Sequence, residues 1–314
     1  MRGKIVFMGT PDFAVLSLDA IVKSGYEVAA VVTVPDRKSG RGQKLTFSPV
    51  KDYAMQNELP LLQPERLRDP FFLESLASLH ADIFVVVAFR MLPEVVWSMP
   101  PMGTFNLHAS LLPQYRGAAP INWALINGER ATGVTTFMLN ERIDEGQLLL
   151  QRQTDITEHD TAETLHDRLA QMGSALVVET LEGLYAGTIK PQQQITSDKL
   201  KSAPKLFRQD CAIDWNKSGE EIRNFVRGLS PYPAAYTEMV DNKGETKLLK
   251  IYDVAFVPGG KSLVGKIEAD RKQLKIGVKD GTIIILSLQI SGKKQMRAYE
   301  FLRGYNIQNW ELVR

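Results

Sequence analysis

Asn106 and His108 stand two positions apart at the end of a predicted strand, Gly103 to Leu107. Residues two apart in an extended backbone project from the same face, so both side chains would meet one substrate atom. The amide donates hydrogen bonds, and an imidazole titrates near neutral pH. The pair could therefore stabilise an oxyanion and move a proton, as acyl or formyl transfer requires.

A third polar group is available from an acidic loop, Ile143 to Gly146, which contains Asp144. A carboxylate near an imidazole raises its basicity and fixes its tautomer. The sequence equally allows Asp144 to be an ordinary turn residue before Glu145 and Gly146. A single histidine after a strand is more often structural than catalytic, so the assignment of His108 depends on these neighbours.

Ser110 raises a competing assignment, nucleophilic catalysis with His108 and Asp144. No strained G-x-S-x-G turn surrounds this serine, and direct transfer is therefore the preferred interpretation. The constrained turn from Ser110 to Pro113 would instead form a shaped wall beside the amide and the imidazole.

Other cofactor chemistry is disfavoured by composition and spacing. The segment Gly9 to Ala14 follows the first strand but lacks the G-x-G-x-x-G spacing of a dinucleotide site, which argues against a nicotinamide cofactor. One cysteine, Cys211, excludes an internal disulfide, and four scattered histidines have no metal-ligand spacing. We expect no metal.

The elements that must position these residues alternate between strand and helix patterns. Predicted strands are Lys4 to Phe7, Val28 to Val34 and Ile83 to Ala88; predicted helices are Asp12 to Ser24, Val50 to Asn57 and Pro70 to His80. Fully apolar strands imply burial on both faces, so the fold class is α/β, with a Rossmann-like, mostly parallel sheet. Ligands of such sheets bind beyond the carboxyl ends of the strands.

The later part of the chain predicts a second domain. Val134 to Leu139 and Gln147 to Gln153 read as a strand pair, and Thr157 to Gly187 as a long helix. After one more helix, Gly219 to Arg227, short strands separated by turns predict a small β-barrel. We therefore expect domains at 1–188 and 209–314, joined by a linker at 189–208.

Charge divides the chain in the same way. Residues 1–188 hold 16 basic and 22 acidic side chains, whereas residues 189–314 hold 22 and 14. The basic C-terminal part either binds a polyanion or simply remains soluble through surface lysines. No apolar run of 18 residues occurs, and Ile5 to Met8 is too short for a signal peptide, so we expect a cytoplasmic protein that does not enter membranes.

Two basic stretches favour nucleic acid as the partner. Pro35 to Pro49 carries Arg37, Lys38, Arg41 and Lys44 in an otherwise acidic domain. Lys243 to Lys279 holds nine basic and four acidic residues across predicted strands. Both could contact phosphates, although a solvated insertion and lysines that protect strand edges are the alternatives.

These segments carry a family resemblance. The sequence NLHASLLPQYRGAAPI, which begins at Asn106, and the acidic loop IDEG at Asp144 resemble the formyltransferases that use 10-formyltetrahydrofolate. Within them, GTPDFA, PDRKSGRGQKL and RGAAPI resemble the members that act on methionyl initiator tRNA. The resemblance covers nearly the whole chain.

The resemblance implies a Rossmann-like formyltransferase domain and a C-terminal OB-like barrel that assists tRNA binding. It implies that Asn106, His108 and Asp144 are catalytic, and that the formyl donor is 10-formyltetrahydrofolate. The residues implied to line the folate site are Ser110, Leu111, Leu112 and Pro113. The basic loop, with Arg37, Lys38, Arg41 and Lys44, would contact the acceptor end of the initiator tRNA, and the expected form is a monomer.

The sequence differs from the family pattern at one place, and two alternative functions stay open. Phe89 and Arg90 follow Ala88 where many relatives have Ala-Tyr-Gly. The phenol hydroxyl is therefore lost at Phe89, and a bulky cation appears at Arg90, beside the expected pterin pocket. A formyltransferase of an amino sugar nucleotide or another small amine is the first rival. A non-catalytic RNA-binding protein that keeps the fold is the second.

Overall fold

The computed structural model describes residues 3–39, 44–195, 197–259 and 263–313. The strands up to residue 195 are β1 (Lys4–Gly9), β2 (Glu27–Val32), β3 (Arg37–Ser39), β4 (Lys44–Thr46), β5 (Leu61–Leu62), β6 (Ile83–Val87), β7 (Thr104–His108), β8 (Arg116–Gly117), β9 (Ala131–Met138) and β10 (Leu148–Asp155). The helices of the same stretch are α1 (Asp12–Lys23), α2 (Pro49–Gln56), α3 (Pro70–Ser78), α4 (Glu94–Trp97), α5 (Pro120–Ile126) and α6 (Ala162–Tyr185).

A second group of elements follows residue 200. Its strands are β11 (Ser202–Ala203), β12 (Ala235–Val240), β13 (Thr246–Pro258), β14 (Ile267–Ala269), β15 (Leu274–Val278), β16 (Gly281–Ile290), β17 (Met296–Arg297) and β18 (Glu311–Leu312). Its helices are α7 (Gly219–Leu229) and α8 (Ala298–Gly304), preceded by a 3₁₀ helix, Arg208–Cys211.

The N-terminal sheet has seven strands in the order β10-β9-β7-β6-β1-β2-β5. Strands β5, β2, β1, β6 and β7 pair in parallel, and β9 runs antiparallel to β7. The predicted mostly parallel, Rossmann-like sheet is confirmed. Because β1, β2, β6 and β7 are parallel, the segments that follow Gly9, Val32, Val87 and His108 emerge at one edge of the sheet.

Apolar strands explain why this sheet lies inside the domain. Every residue of β6 is buried, and β1 is buried from Ile5 onward. Buried aromatic side chains on adjacent strands, Phe84, Phe105 and Phe137, are part of the core. Because these strands are buried on both faces, helices cover each face of the sheet, as the continuous apolar runs predict.

Local signals in the sequence set the helix boundaries. The hydroxyl of Ser48 caps α2 by accepting the Lys51 N–H at 3.1 Å, and the carboxylate of Asp69 caps α3 in the same way. The predicted start of the long helix at Thr157 was wrong, since α6 begins at Ala162. The Asp160 carboxylate accepts the Thr157 N–H at 2.7 Å, which closes a turn before the helix.

The C-terminal sheet is an antiparallel, nearly closed barrel, as the turn spacing predicts. Its strand order is β14-β15-β16-β13-β12-β18, and β17 pairs with β16. Helix α7 begins with a capping box, in which Ser218 accepts the Glu221 N–H while the Glu221 carboxylate accepts the Ser218 N–H. In the barrel core, the indole of Trp215 donates to the Thr237 hydroxyl at 3.0 Å.

Contacts divide the chain into two compact units. The first comprises Met1–Gly117, Thr132–Thr154 and His166–Ser202; the second comprises Ala118–Ala131, Asp155–Leu165 and Ala203–Arg314. Two short segments that precede residue 166 therefore belong with the C-terminal unit. Among the described residues, no helix combines the length and the apolar character needed to span a membrane.

Candidate functional site

His108 is the last residue of β7, and its side chain is buried. The ring nitrogen Nε2 lies 2.9 Å from the carbonyl oxygen of Tyr115. A carbonyl can only accept a hydrogen bond, so the contact requires the proton on Nε2. The lone pair of the neutral ring is therefore on Nδ1.

Asp144 lies beside that second nitrogen. Its Oδ2 atom is 3.8 Å from Nδ1 of His108 and accepts the Gly117 N–H at 2.9 Å. The distance to His108 is too long for a direct hydrogen bond but short enough for an ion pair with a protonated ring. His108 and Asp144 are two of the three residues predicted to act together, and the structure places their side chains next to each other with little exposure to solvent.

Asn106 lies two residues before His108 on the same face of β7, as the strand spacing predicts. Its backbone is fixed between Val86 on β6 and Phe137 on β9. Its side chain is half-buried and, within the ranges that the structure describes, makes no hydrogen bond. The backbone position of Asn106 is thus fixed, while the amide donors have no hydrogen-bond partner among the described residues.

The turn after β7 is fixed by hydrogen bonds from β9 and β10. The Thr135 hydroxyl donates to the Ser110 carbonyl at 2.6 Å and accepts the Leu112 N–H at 3.1 Å. The Gln151 amide donates to the Leu112 carbonyl at 2.7 Å. Ser110 and Leu112 are buried, whereas Leu111 and Pro113 are half-buried, so these two present the accessible part of the turn.

The nucleophile alternative finds no support in the contacts of Ser110. Its hydroxyl is fully buried and donates to the Gln114 carbonyl at 2.6 Å. The proton of His108 Nε2 is directed at Tyr115, not at this hydroxyl. A nucleophilic serine needs a base that accepts its proton, and among the described residues the Ser110 hydroxyl donates to a backbone carbonyl instead.

Gln194 is a neighbour of the site that sequence reasoning missed. Its Nε2 donates to the carbonyls of Asp144 and Gly146, both at 2.8 Å, and its Oε1 accepts from Arg116 at 2.7 and 3.1 Å. Arg116 also pairs with Glu145 at 3.2 Å. The only signal in the sequence was a polar segment with three glutamines, a pattern that fits any surface linker.

The predicted basic loop contains a short antiparallel pair, β3 with β4. Arg37 is exposed on β3; Lys38 and Lys44 belong to the paired strands, and Arg41 lies outside the described residues. The opposing carboxylate, Asp36, is engaged by Lys51 at 2.6 Å, and this hydrogen bond holds the pKa of Asp36 below its usual range.

Phe89 and Arg90 follow β6, at the same edge of the sheet as the site. The Arg90 guanidinium donates to the carbonyls of Pro64 and Glu65 and lies 5.5 Å from the Phe89 ring centroid. Burial lowers the pKa of Arg90, and the nearby Arg37 cation acts in the same direction. The cation that departs from the family pattern is thus tied to the backbone of a neighbouring segment.

Several lysines of the second basic stretch are already paired. Lys247 contacts Asp241 and Glu245, and Lys266 lies 2.8 Å from Glu268. These pairs weaken the local positive potential at Lys247 and Lys266. In the described part of the chain, no group of three or more His, Cys, Asp or Glu side chains is arranged to hold a metal ion.

Two family models match the chain. Residues 3–181 match the model described as formyl transferase, and residues 205–306 match the formyl transferase C-terminal domain. Together they span both parts of the chain that the charge and element patterns distinguish.

Curated relatives match over almost the full length. A methionyl-tRNA formyltransferase of Bacteroides fragilis is 50% identical over 309 residues, which cover 97% of this chain and 95% of the relative. The protein of the same name from Azobacteroides pseudotrichonymphae is 52% identical and covers 96% of both chains.

Solved structures share the fold at lower identity. The N-formyltransferase from Helicobacter canadensis, in complex with folinic acid and dTDP-3-aminofucose, superposes with a TM-score of 0.66 at 24% identity, covering 91% of this chain and 99% of its own. HypX from Aquifex aeolicus, in complex with tetrahydrofolic acid, gives 0.63 at 19% identity and covers 100% of this chain and 51% of its own.

Proposed function

Because the chain belongs to the formyl transferase family, we propose that it transfers a formyl group from 10-formyltetrahydrofolate to the α-amine of methionyl initiator tRNA. The observation that carries the proposal is 50–53% identity to relatives named methionyl-tRNA formyltransferase, over at least 95% of both chains. The product, N-formylmethionyl-tRNA, would serve translation initiation.

The residues at the end of β7 fit a formyl donor. A folate-borne formyl group supplies an electrophilic carbon, and attack by the amine forms the new C–N bond and moves negative charge onto the formyl oxygen. Collapse of this tetrahedral intermediate breaks the carbon bond to N10 of the folate, which leaves with the proton taken from the amine. Asn106 is proposed to donate a hydrogen bond to that oxygen, because its backbone is fixed in β7 and its amide has no hydrogen-bond partner among the described residues. The accessible side chains of Leu111 and Pro113, with Ser110 and Leu112 behind them, are proposed to form the folate wall.

His108 and Asp144 are proposed to handle the proton of the attacking amine. The Tyr115 carbonyl keeps a proton on Nε2, which leaves Nδ1 to accept another. The resulting cation would be stabilised by Asp144, 3.8 Å away, and would itself stabilise the charge on the formyl oxygen. The carboxylate is kept in place by the Gly117 N–H, so this pairing needs no rearrangement.

Recognition of the tRNA is assigned to basic side chains. Arg37, Lys38, Arg41 and Lys44 are proposed to contact the acceptor end, and the barrel to contribute phosphate contacts. We retain domains at 1–188 and 209–314 with a linker at 189–208 as part of this proposal. The enzyme would act as a monomer in the cytoplasm, where initiator tRNA is used.

The test is a choice of acceptors. The protein is incubated with labelled 10-formyltetrahydrofolate and, in parallel, methionyl initiator tRNA, methionyl elongator tRNA or an amino sugar nucleotide. Label should enter the initiator tRNA. Label in the sugar nucleotide alone would overturn the tRNA proposal, and tRNA binding without any label transfer would indicate a non-catalytic RNA-binding protein.

A further inference from the structure

We infer that Gln194 is a positioning residue for the reaction: it holds the loop that carries Asp144 so that the carboxylate stays beside His108. The inference rests on the proposed function, since it assigns a catalytic role to Asp144. Gln194 touches neither His108 nor the place proposed for the formyl group. It lies in the segment predicted to be a linker, which has so far been assigned no part in catalysis.

The hydrogen bonds of the Gln194 amide determine its orientation. Oε1 faces the Arg116 guanidinium, which can only donate, and Nε2 faces the carbonyls of Asp144 and Gly146, which can only accept. If the amide were flipped, its NH₂ group would face the Arg116 donors and its oxygen would face the two carbonyl oxygens. Arg116 is itself fixed by its ion pair with Glu145, the residue between the two carbonyls. We call these contacts of Gln194 and Arg116 the amide clamp.

The clamped loop needs such support. Asp144 has a φ of 54°, in the left-handed region that side chains other than glycine adopt at a cost. Gly146 passes so close to β9 that an added Cβ would lie 1.6 Å from the Met138 carbonyl oxygen. The loop therefore turns sharply within three residues, and Gln194 bonds the carbonyls at both ends of that turn.

The segment that carries Gln194 is itself attached to the first unit. Gln192 forms an antiparallel bridge with Leu148, at the start of β10, through backbone hydrogen bonds of 2.7 and 2.9 Å. Gln194 follows two residues later and is half-buried, whereas Gln192 and Gln193 are exposed. Of the three glutamines, only Gln194 thus combines burial with four polar contacts at the site.

The test compares three variants of the full chain. Gln194→Met keeps the length of the side chain and removes all four hydrogen bonds of the Gln194 amide. Gln194→Glu keeps an oxygen for Arg116 but removes both donors to the loop. Gln193→Met changes the exposed neighbour in the same way and is the matched control.

Two measurements are made on each variant. Hydrogen exchange should be faster in residues 140–147 of both Gln194 variants and unchanged in Gln193→Met. Single-turnover formylation of methionyl initiator tRNA should be about 10- to 100-fold slower in both Gln194 variants, with KM for tRNA and donor within about twofold, because a small displacement of a catalytic group mainly affects the chemical step.

A double-mutant cycle separates positioning from general stability. In an Asp144→Asn background, Gln194→Met should slow the reaction by less than about threefold, because the group that the clamp positions is already missing. A loss as large as in the wild-type background would overturn the inference. Unchanged exchange at 140–147, or wild-type turnover in Gln194→Glu, would overturn it as well.

Failure of the proposed function looks different. A wild-type chain that formylates none of the acceptors would reject that function and with it the catalytic part of this inference. The exchange measurement would still decide whether Gln194 holds the loop.

Discussion

Oδ2 of Asp144 lies 3.8 Å from Nδ1 of His108 and is anchored on the other side by the Gly117 N–H. Two parts of the sequence, 27 residues apart at Gly117 and Asp144, thus meet at one carboxylate oxygen. The anchor fixes the carboxylate without neutralising it, so its charge remains directed at the ring.

Replacing Asp144 by Asn tests that charge. The Asn carbonyl can still accept the Gly117 N–H, so we expect a folded protein. Turnover should fall by about 10²-fold or more, since a positioned proton-transfer group contributes roughly 10² to 10⁴. Steady-state formylation measures the loss, and a kcat near wild type would show that the carboxylate charge is not used.

Asn106→Ala removes the free amide at the centre of the site. Loss of one oxyanion donor typically lowers turnover by about 10² to 10³, and binding of tRNA and donor should change little. Kinetics should therefore show a fall in kcat at nearly constant KM. Asn57→Ala, which removes an exposed amide after α2, is the control; equal effects of the two variants would reject the assignment.

Ser110→Ala distinguishes a structural hydroxyl from a nucleophile. The buried hydroxyl donates to the Gln114 carbonyl, and its loss should cost about 1–2 kcal/mol of the free energy of unfolding. At saturating formyl donor, the kcat of the folded variant should stay within about threefold of wild type, because the buried hydroxyl takes no part in the chemical step. Loss of all turnover in a variant with intact stability would restore the nucleophilic mechanism.

Arg37→Ala addresses the contact with tRNA. If Arg37 neutralises one phosphate, the log-log slope of affinity against salt should become shallower by about 0.7 to 0.9. Binding titrations at several salt concentrations give that slope. Lys23→Ala is the control, because it removes an exposed cation already paired with Asp19, and it should leave the slope unchanged. An equal change of slope in both variants would show that only the net charge of the protein matters.

Glu221 makes the stability of the second unit depend on pH. Hydrogen bonds from the Ser218 hydroxyl and backbone, with Lys217 nearby, lower the pKa of Glu221 to about 2. Because the pKa of Glu221 is lower in the folded protein, its ionised carboxylate stabilises the fold fully at pH values above the ordinary pKa near 4.5. This stabilisation is lost as the pH falls toward 2.

Glu221→Gln keeps the capping geometry and removes only the charge. At pH 7 the variant should be less stable by about 0.5 kcal/mol, a small value because the carboxylate is half-exposed and screened. Urea denaturation should show the difference shrinking between pH 4.5 and 2. A difference that is constant over this range would contradict the assignment.

Much of the first sheet could be predicted because its signals are local. The uninterrupted apolar runs of β1 and β6 indicate burial on both faces, and the spacing of Asn106 and His108 places them on one side of β7. The resemblance supplied Asp144, whose position opposite the ring depends on a loop that no periodicity describes.

The features of the fold and site that could not be predicted from the sequence depend on contacts between segments far apart in the chain. Gln194 lies 50 residues from the Asp144 carbonyl that it binds, and nothing in its immediate sequence distinguishes it from Gln192 or Gln193. Likewise, α5 packs against α7, so residues 118–131 join the C-terminal unit although most of β9, which follows them, belongs to the first unit. Such pairings are set by tertiary packing, which local propensity does not determine.

The hydrogen bond from His108 to the Tyr115 carbonyl has a consequence for where protons can go. That carbonyl has no hydrogen to give and occupies one side of the ring, so the imidazole exchanges protons through a single atom, Nδ1. A histidine of this kind does not conduct protons from one face to the other. In the proposed reaction, a proton that His108 takes from the incoming amine would leave by the same atom, toward the leaving nitrogen of the donor or toward water on that side.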